Sequence, residues 1–141
     1  LLGERFIATY GDGLSDLPLD RMIAHFESTG AVASLAGVSG LSSFHAIDAS
    51  PEGVATRIGA LTDRELLING GFFVLRQEIF DYIEPGDELV ERPFQRLIEK
   101  QLLAVYRHAG FWRAMDTFKD KITLDRMDAR GECPWMVWKK K

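Results

Sequence analysis

The opening of the chain restricts what it can fold into more than any other stretch. Phe6-Ile7-Ala8, followed by Thr9-Tyr10, reads as a buried strand that stops at Gly11-Asp12-Gly13, where two glycines bracket one carboxylate. Pro18 sits where a first helical turn would start, with Ser15 and Asp16 just upstream as candidate caps. Leu19, Met22, Ile23 and Phe26 then recur at i, i+3, i+4 and i+7, one face of an amphipathic helix that Gly30 ends. Ala31 to Val38 is a second buried strand. A strand, a helix and a strand in this order form a βαβ unit, which predicts an α/β domain with a largely parallel sheet.

Downstream, Phe44-His45-Ala46-Ile47 reads as a short strand, and Pro51-Glu52-Gly53 as a turn that could pair it with Val54 to Ile58 in a hairpin. Leu66-Leu67-Ile68 resumes the apolar pattern and runs through Asn69-Gly70-Gly71 into Phe72-Phe73-Val74-Leu75. Glycines inside so apolar a strand suggest a bulge or a close backbone approach by a ligand. Ile79, Phe80 and Ile83 mark a short helix, Pro93 opens another with Phe94, Leu97 and Ile98 inward, and Leu102 to Tyr106 returns as a strand. Thr117 and Asp120 fit a capping box, and the helix they open should stop near Gly131. There is no internal repeat and no linker, so residues 1–141 read as one domain.

Composition narrows the function classes. At 46% hydrophobic and 27% charged, the 141 residues are those of an ordinary globular domain rather than a disordered chain. No stretch approaches the ~20 apolar residues of a membrane span, and nothing signal-like opens the sequence. Cys133 is the only cysteine, so no disulfide forms within the chain, and a cytoplasmic setting is the expectation. A net charge of -4 argues against a nucleic-acid partner. Leu1-Leu2-Gly3 has the look of mid-protein sequence, as in a fragment.

Asp12 is the first candidate for chemistry, because ligands of open α/β sheets gather at the carboxyl ends of strands and the glycines beside it leave room for a phosphate or metal. An Asp that only holds its own turn fits the local pattern equally. Asp116 precedes the helix cap at Thr117 and would project from a helix start; two such carboxylates could hold Mg²⁺ together with substrate phosphates. Its alternative role is to complement the positive helix end. Asn69, beside Gly70, could read sugar hydroxyls or could turn a hairpin, and Glu91 could accept hydroxyl protons or simply lie on the surface before a helix. His25, His45 and His108 show no metal-ligand spacing.

In series, Thr9-Tyr10-Gly11-Asp12-Gly13, Ile68-Asn69-Gly70-Gly71-Phe72-Phe73-Val74, Gly110-Phe111-Trp112 with Met115-Asp116-Thr117, and Pro134-Trp135 resemble the glucose-1-phosphate cytidylyltransferases, within the sugar nucleotidylyltransferases. The match runs from about residue 5 to the end of the chain. The resemblance implies a three-layer, Rossmann-like, mixed and mostly parallel sheet, incomplete at its N-terminus. It implies transfer of a nucleotidyl group from CTP to glucose 1-phosphate, giving CDP-glucose and pyrophosphate for polysaccharide biosynthesis. By position, Asp12 and Asp116 match the family's Mg²⁺-binding aspartates, Gly11 and Gly13 flank the first of them, and Asn69 and Gly70 match its sugar-contacting strand. Glu91 matches its hydroxyl-binding acid, and Lys119 stands where the family commonly has Arg near phosphate. A homo-oligomer is implied for the full-length protein.

The departures are specific. The family opens with a Gly-rich loop ending in a Pro-Lys pair, which holds the nucleotide phosphates, and nothing here matches it. The family's Glu-Lys-Pro motif is also missing, with Ala60-Leu61-Thr62-Asp63-Arg64 in its region. The chain therefore reads as the C-terminal part of such an enzyme, inactive as it stands. The alternative is a non-catalytic sugar-nucleotide-binding module or a regulatory partner of a full-length relative. Without the first strand and loop, an open sheet edge should favour association or poor solubility.

Overall fold

The computed structural model describes residues 3–39, 45–60 and 66–139. In chain order the elements are β1 (Arg5–Thr9), β2 (Gly13–Ser15), α1 (Leu19–Thr29), β3 (Ala33–Ser39), β4 (His45–Ala49), β5 (Ala55–Ala60) and β6 (Leu67–Arg76), then α2 (Arg92–Glu99), β7 (Leu103–His108), β8 (Trp112–Ala114) and α3 (Phe118–Ala129). The main sheet has the order β1-β6-β3-β7. β1, β3 and β7 share one direction, because β6 is antiparallel to both of its neighbours while β3 and β7 pair in parallel. The sheet is thus mixed, and three of its four strands run one way. The strands of the βαβ unit are not neighbours, however. β6 fits between β1 and β3, so two of the three pairings are antiparallel.

Each face of the sheet carries its own core. Met22 and Phe26 of α1 bury completely with Leu17, Ala31, Ala36 and Val74 on one face. Phe94 and Leu97 of α2 and Ile79 of a 3-10 helix (Gln77–Tyr82) cover Val32, Ala33, Phe73 and Leu75 on the other. Alternate residues of β3 and β6 feed the two faces, which gives the expected three layers.

Local chemistry differs from the sequence reading at several points. Ser15 and Asp16 do not cap α1, whose first turn has no side-chain cap. Their side chains are engaged elsewhere: the Leu17 N–H donates to Ser15 Oγ (3.1 Å), and Asp16 Oδ1 faces His108. Leu19 and Ile98 were expected inward, yet both are exposed, because each lies in a terminal turn of its helix, outside the stripes that Met22 and Phe26 of α1 and Phe94 and Leu97 of α2 bury. β1 is an edge strand with Ile7 exposed rather than a buried strand. The helix expected around Ile79 is of the tighter 3-10 kind. Gly30 closes α1 in the left-handed conformation (φ +66°), and Thr117 and Asp120 form the capping box of α3. β4 and β5 make the expected hairpin, a two-stranded sheet of its own. Phe44 and the stretch 61–65, where the Glu-Lys-Pro motif is sought, lie outside the described residues.

Candidate functional site

Because β1, β3 and β7 point one way, their ends at Thr9, Ser39 and His108 share one edge of the sheet, the edge at which β6 begins. Past β1 the chain crosses this edge and pairs β2 with β8 antiparallel, Gly13 opposite Ala114 and Ser15 opposite Trp112. The pairing continues one step beyond the ribbon, where the Met115 N–H donates to the Asp12 carbonyl (2.9 Å). The register sets Asp12 opposite Met115 and brings Asp116, one residue further along, to the same open end of this short ribbon; both are exposed.

Asp116 leads directly into α3. There the Thr117 hydroxyl accepts from the Asp120 N–H (3.2 Å), and Asp120 Oδ2 accepts from the Thr117 N–H (3.1 Å) and hydroxyl (2.6 Å). The Thr117 hydroxyl, with smaller contributions from the Thr117 N–H, Arg113 and Lys119, holds the Asp120 carboxyl below its usual range. Lys119 stands exposed in the first turn of α3. Asp120 is thus committed to its own helix, whereas Asp116 sits just outside it at the positive end.

The Asn69-Gly70-Gly71 stretch lies inside β6, which excludes the hairpin turn. It forms a bulge: β3 advances from Leu35 to Gly37 while β6 passes from Phe73 back to Asn69. Asn69 Oδ1 accepts from the Gly71 N–H (2.9 Å), and the Gly70 carbonyl accepts from the Trp112 indole N–H (2.7 Å). Packing within the chain demands both glycines. A Cβ at Gly70 would lie 2.9 Å from Val38 Cγ1, and one at Gly71 (φ +73°) would lie 2.7 Å from Tyr10 Cδ2. Of the bulge or close approach by a ligand expected from the sequence, the structure shows the bulge, crowded by Val38 and Tyr10. Gly11 is different: a Cβ there would meet nothing within 4 Å, so the space beside Asp12 is open. At Gly13 a Cβ would make only ordinary contacts, the nearest at 3.7 Å.

Gly11, Asp12, Gly13, Asp116 and Lys119 are gathered at the ribbon end and the start of α3, and the Trp112–Gly70 hydrogen bond joins the Asn69-Gly70 bulge to that ribbon. Glu91 stands apart, exposed at the N-terminal boundary of α2 with no capping hydrogen bond, and no described contact ties it to the others. One pair was not legible beforehand. His108, buried at the end of β7, brings Nε2 to 3.0 Å from Asp16 Oδ1. The only sequence signal was a polar residue closing an apolar strand. Beside it, Ser39, His108, Gly110, Phe111 and Trp112 line a cavity of about 210 Å³. Among the described residues no three His, Cys, Asp or Glu side chains are grouped closely enough to enclose a metal ion. Two hard carboxylates at an open edge suit a cation that keeps water and substrate phosphates as its remaining ligands, as Mg²⁺ does.

No protein-family model matches the chain. Among curated proteins, it is 38% identical over 137 residues to a Bacillus subtilis protein named "Probable glucose-1-phosphate cytidylyltransferase", and 33% identical over 136 residues to the glucose-1-phosphate cytidylyltransferase of Salmonella typhi. Each match takes in 96% of the chain but only 54% and 53% of the relative, so the chain spans about half the length of the curated relatives it matches. Among solved structures, an inositol-1-phosphate CTP transferase from T. maritima superposes with a TM-score of 0.56 over 91% of the chain and 56% of that protein, at 16% identity. HddC from Yersinia pseudotuberculosis, solved with GMP-PN, gives a TM-score of 0.56 over 87% of the chain and 55% of that protein, also at 16% identity. These two show the shared α/β fold. Over nearly its whole length the chain is thus a homologue of the C-terminal half of glucose-1-phosphate cytidylyltransferases, folded as sugar nucleotidyltransferases fold.

Proposed function

We propose that this chain forms the metal- and sugar-binding half of an enzyme that transfers the cytidylyl group of CTP to glucose 1-phosphate. The observation that supports the reading is the β2–β8 pairing, whose open end, close to the carboxyl end of β1, carries both Asp12 and Asp116. In the reaction an oxygen of the sugar phosphate attacks the α-phosphorus of CTP, the bond to the β-phosphate oxygen breaks, and pyrophosphate leaves. Mg²⁺ between Asp12 and Asp116 would neutralise charge on the phosphate oxygens and orient them. The open space at Gly11 admits those phosphates close to the backbone. Lys119 and the N-terminus of α3 add positive potential on the same side.

Asn69 contributes in one orientation only. Its Oδ1 is held by the Gly71 N–H, so its amide N–H groups are the part left to donate to a sugar hydroxyl. Glu91 is the candidate acceptor for hydroxyl protons, on the strength of the family pattern alone. The Gly-rich nucleotide loop has no counterpart in this sequence and would be supplied by the remaining half of the whole protein. Homo-oligomer formation belongs to the same reading, supported by the exposed Ile7 on edge strand β1. So does a cytoplasmic place in nucleotide-sugar supply. No described helix is long and apolar enough to cross a membrane.

The test is single-turnover formation of CDP-glucose from CTP, glucose 1-phosphate and Mg²⁺ by the protein extended upstream through its nucleotide loop. Asp12→Asn and Asp116→Asn should each lower the rate at least about a hundredfold, the scale for loss of one charged transition-state stabiliser. CDP-glucose binding without turnover in the extended protein would instead identify a regulatory or binding module.

A further inference from the structure

We infer that His108 and Asp16 are a positioning pair that locks the β2–β8 ribbon to the main sheet and so fixes the placement of Asp12 relative to Asp116. The ribbon needs such a lock. Each of its strands is three residues long, too short for a two-stranded sheet to hold its geometry alone. Its open end carries Asp12 and Asp116, and its other end is where Ser15 and Asp16 meet the turn after β7.

That meeting point is unusually well specified. The Phe111 carbonyl accepts from the Ser15 hydroxyl (2.8 Å) and from the Asp16 N–H (3.1 Å). His108 Nε2 lies 3.0 Å from Asp16 Oδ1 and 3.3 Å from the Phe111 oxygen. Both neighbours accept, so Nε2 carries the proton, and with Phe111 already serving two donors that proton goes chiefly to the Asp16 carboxylate. The His108 side chain is only 8% exposed and the Asp16 side chain 24%, so the bond forms largely out of water. Gly110 closes over it. A Cβ there would come within 2.4 Å of Asp16 Oδ1 and 2.6 Å of His108 Cε1, so any larger residue would push the pair apart.

His108 belongs to β7, which is anchored in the main sheet through β3, whereas Asp16 follows β2. Their bond therefore ties β2 to the main sheet from the β7 side, as the Trp112–Gly70 hydrogen bond ties β8 to it from the β6 side. About 10 Å of extended chain separates this lock from the open end of the ribbon, so a tilt at the lock is carried to Asp12 and Asp116. The consequence for metal binding rests on the proposed role of those two aspartates, but the positioning itself does not.

Amide hydrogen exchange measured by NMR on this chain reads the positioning directly, through the Met115 N–H that bonds to Asp12. His108→Leu removes the donor, Gly110→Ala displaces the pair without deleting either group, and His108→Gln returns an N–H near the position of Nε2. Met115 should exchange at least tenfold faster in His108→Leu and Gly110→Ala, with amides of central strand β3 within twofold of wild type, and His108→Gln should restore most of the protection. If His108→Leu does not fold, Gly110→Ala and His108→Gln still give the comparison. Unchanged Met115 exchange in the displaced variants would overturn the inference. So would equal acceleration across β3 without rescue by His108→Gln, since that pattern is one of global stability. Mn²⁺ added to the wild-type chain separates the two claims: no broadening at Asp12 and Asp116 would sink the metal reading while leaving the exchange result to judge the lock.

Discussion

Replacing Trp112 by Phe isolates one hydrogen bond on which the architecture of the site depends. The indole N–H of Trp112 donates to the Gly70 carbonyl at 2.7 Å, and Gly70 is buried in the β6 bulge. Phenylalanine keeps most of the aromatic surface and removes the donor. The carbonyl belongs to a buried residue and is left without its partner. Loss of the bond and the desolvation penalty of its abandoned acceptor together cost about 1–3 kcal/mol. For a chain of this size each kcal/mol lowers Tm by about 3–5 °C, so the expected drop is about 3–15 °C. The assay is thermal and urea unfolding of Trp112→Phe beside Trp138→Phe. Trp138 is 72% exposed, and its replacement should fall within about 0.5 kcal/mol of wild type. The indole proton of Trp112 should also exchange more slowly than that of Trp138. A Trp112→Phe variant that melts with wild type, together with equally fast exchange of both indoles, would refute the tie between ribbon and bulge.

Gly71→Ala should destabilise by about 2 kcal/mol or more, since it combines a left-handed backbone with overpacking against the Tyr10 ring; wild-type urea midpoints would contradict this. Ser34 is fully buried and its hydroxyl has no hydrogen-bond partner among the described residues, so Ser34→Ala should leave stability unchanged or raise it by up to about 1 kcal/mol, and a lowered midpoint would show an unrecognised partner. The Asp87 carboxyl is held below its usual range first by its hydrogen bond from Arg96 and then by the Glu84 N–H. A carboxyl with a lowered folded-state pKa contributes stability above its unfolded value and loses it as pH falls through the folded one. Asp87→Asn should therefore be less stable than the wild type at neutral pH, and the two should converge in acid; a gap independent of pH would assign the loss to packing instead.

How much of this could be read beforehand divides along physical lines. Local signals carried: the glycine stop of α1 at Gly30, the capping box at Thr117 and the turn between β4 and β5 each depend on a few adjacent residues, and each is present. The insertion of β6 between β1 and β3 was not legible, because strand order is decided by which apolar faces meet after the chain has turned several times. Asp12 and Asp116 could be named singly from their glycine and helix-start contexts. That both come to one end of a ribbon follows only from the β2–β8 register, which three-residue strands announce poorly. The bulge at Gly70-Gly71 was inferred from glycines in an apolar strand, but the groups that crowd them, Tyr10 and Val38, belong to other strands. Ser15 and Asp16 were misjudged for a similar reason, since their side chains answer to Phe111 and His108 rather than to the helix they precede.

The central claim is that Asp12 and Asp116 hold one divalent cation between them, and Mn²⁺ titration of the chain followed by paramagnetic relaxation tests it most directly. The account predicts that Mn²⁺ broadens amide signals around Gly11–Gly13 and Met115–Thr117 together, that Mg²⁺ displaces it, and that either Asp12→Asn or Asp116→Asn abolishes both effects at once. Broadening at only one of the two segments, or broadening that survives in one of the variants, would contradict it.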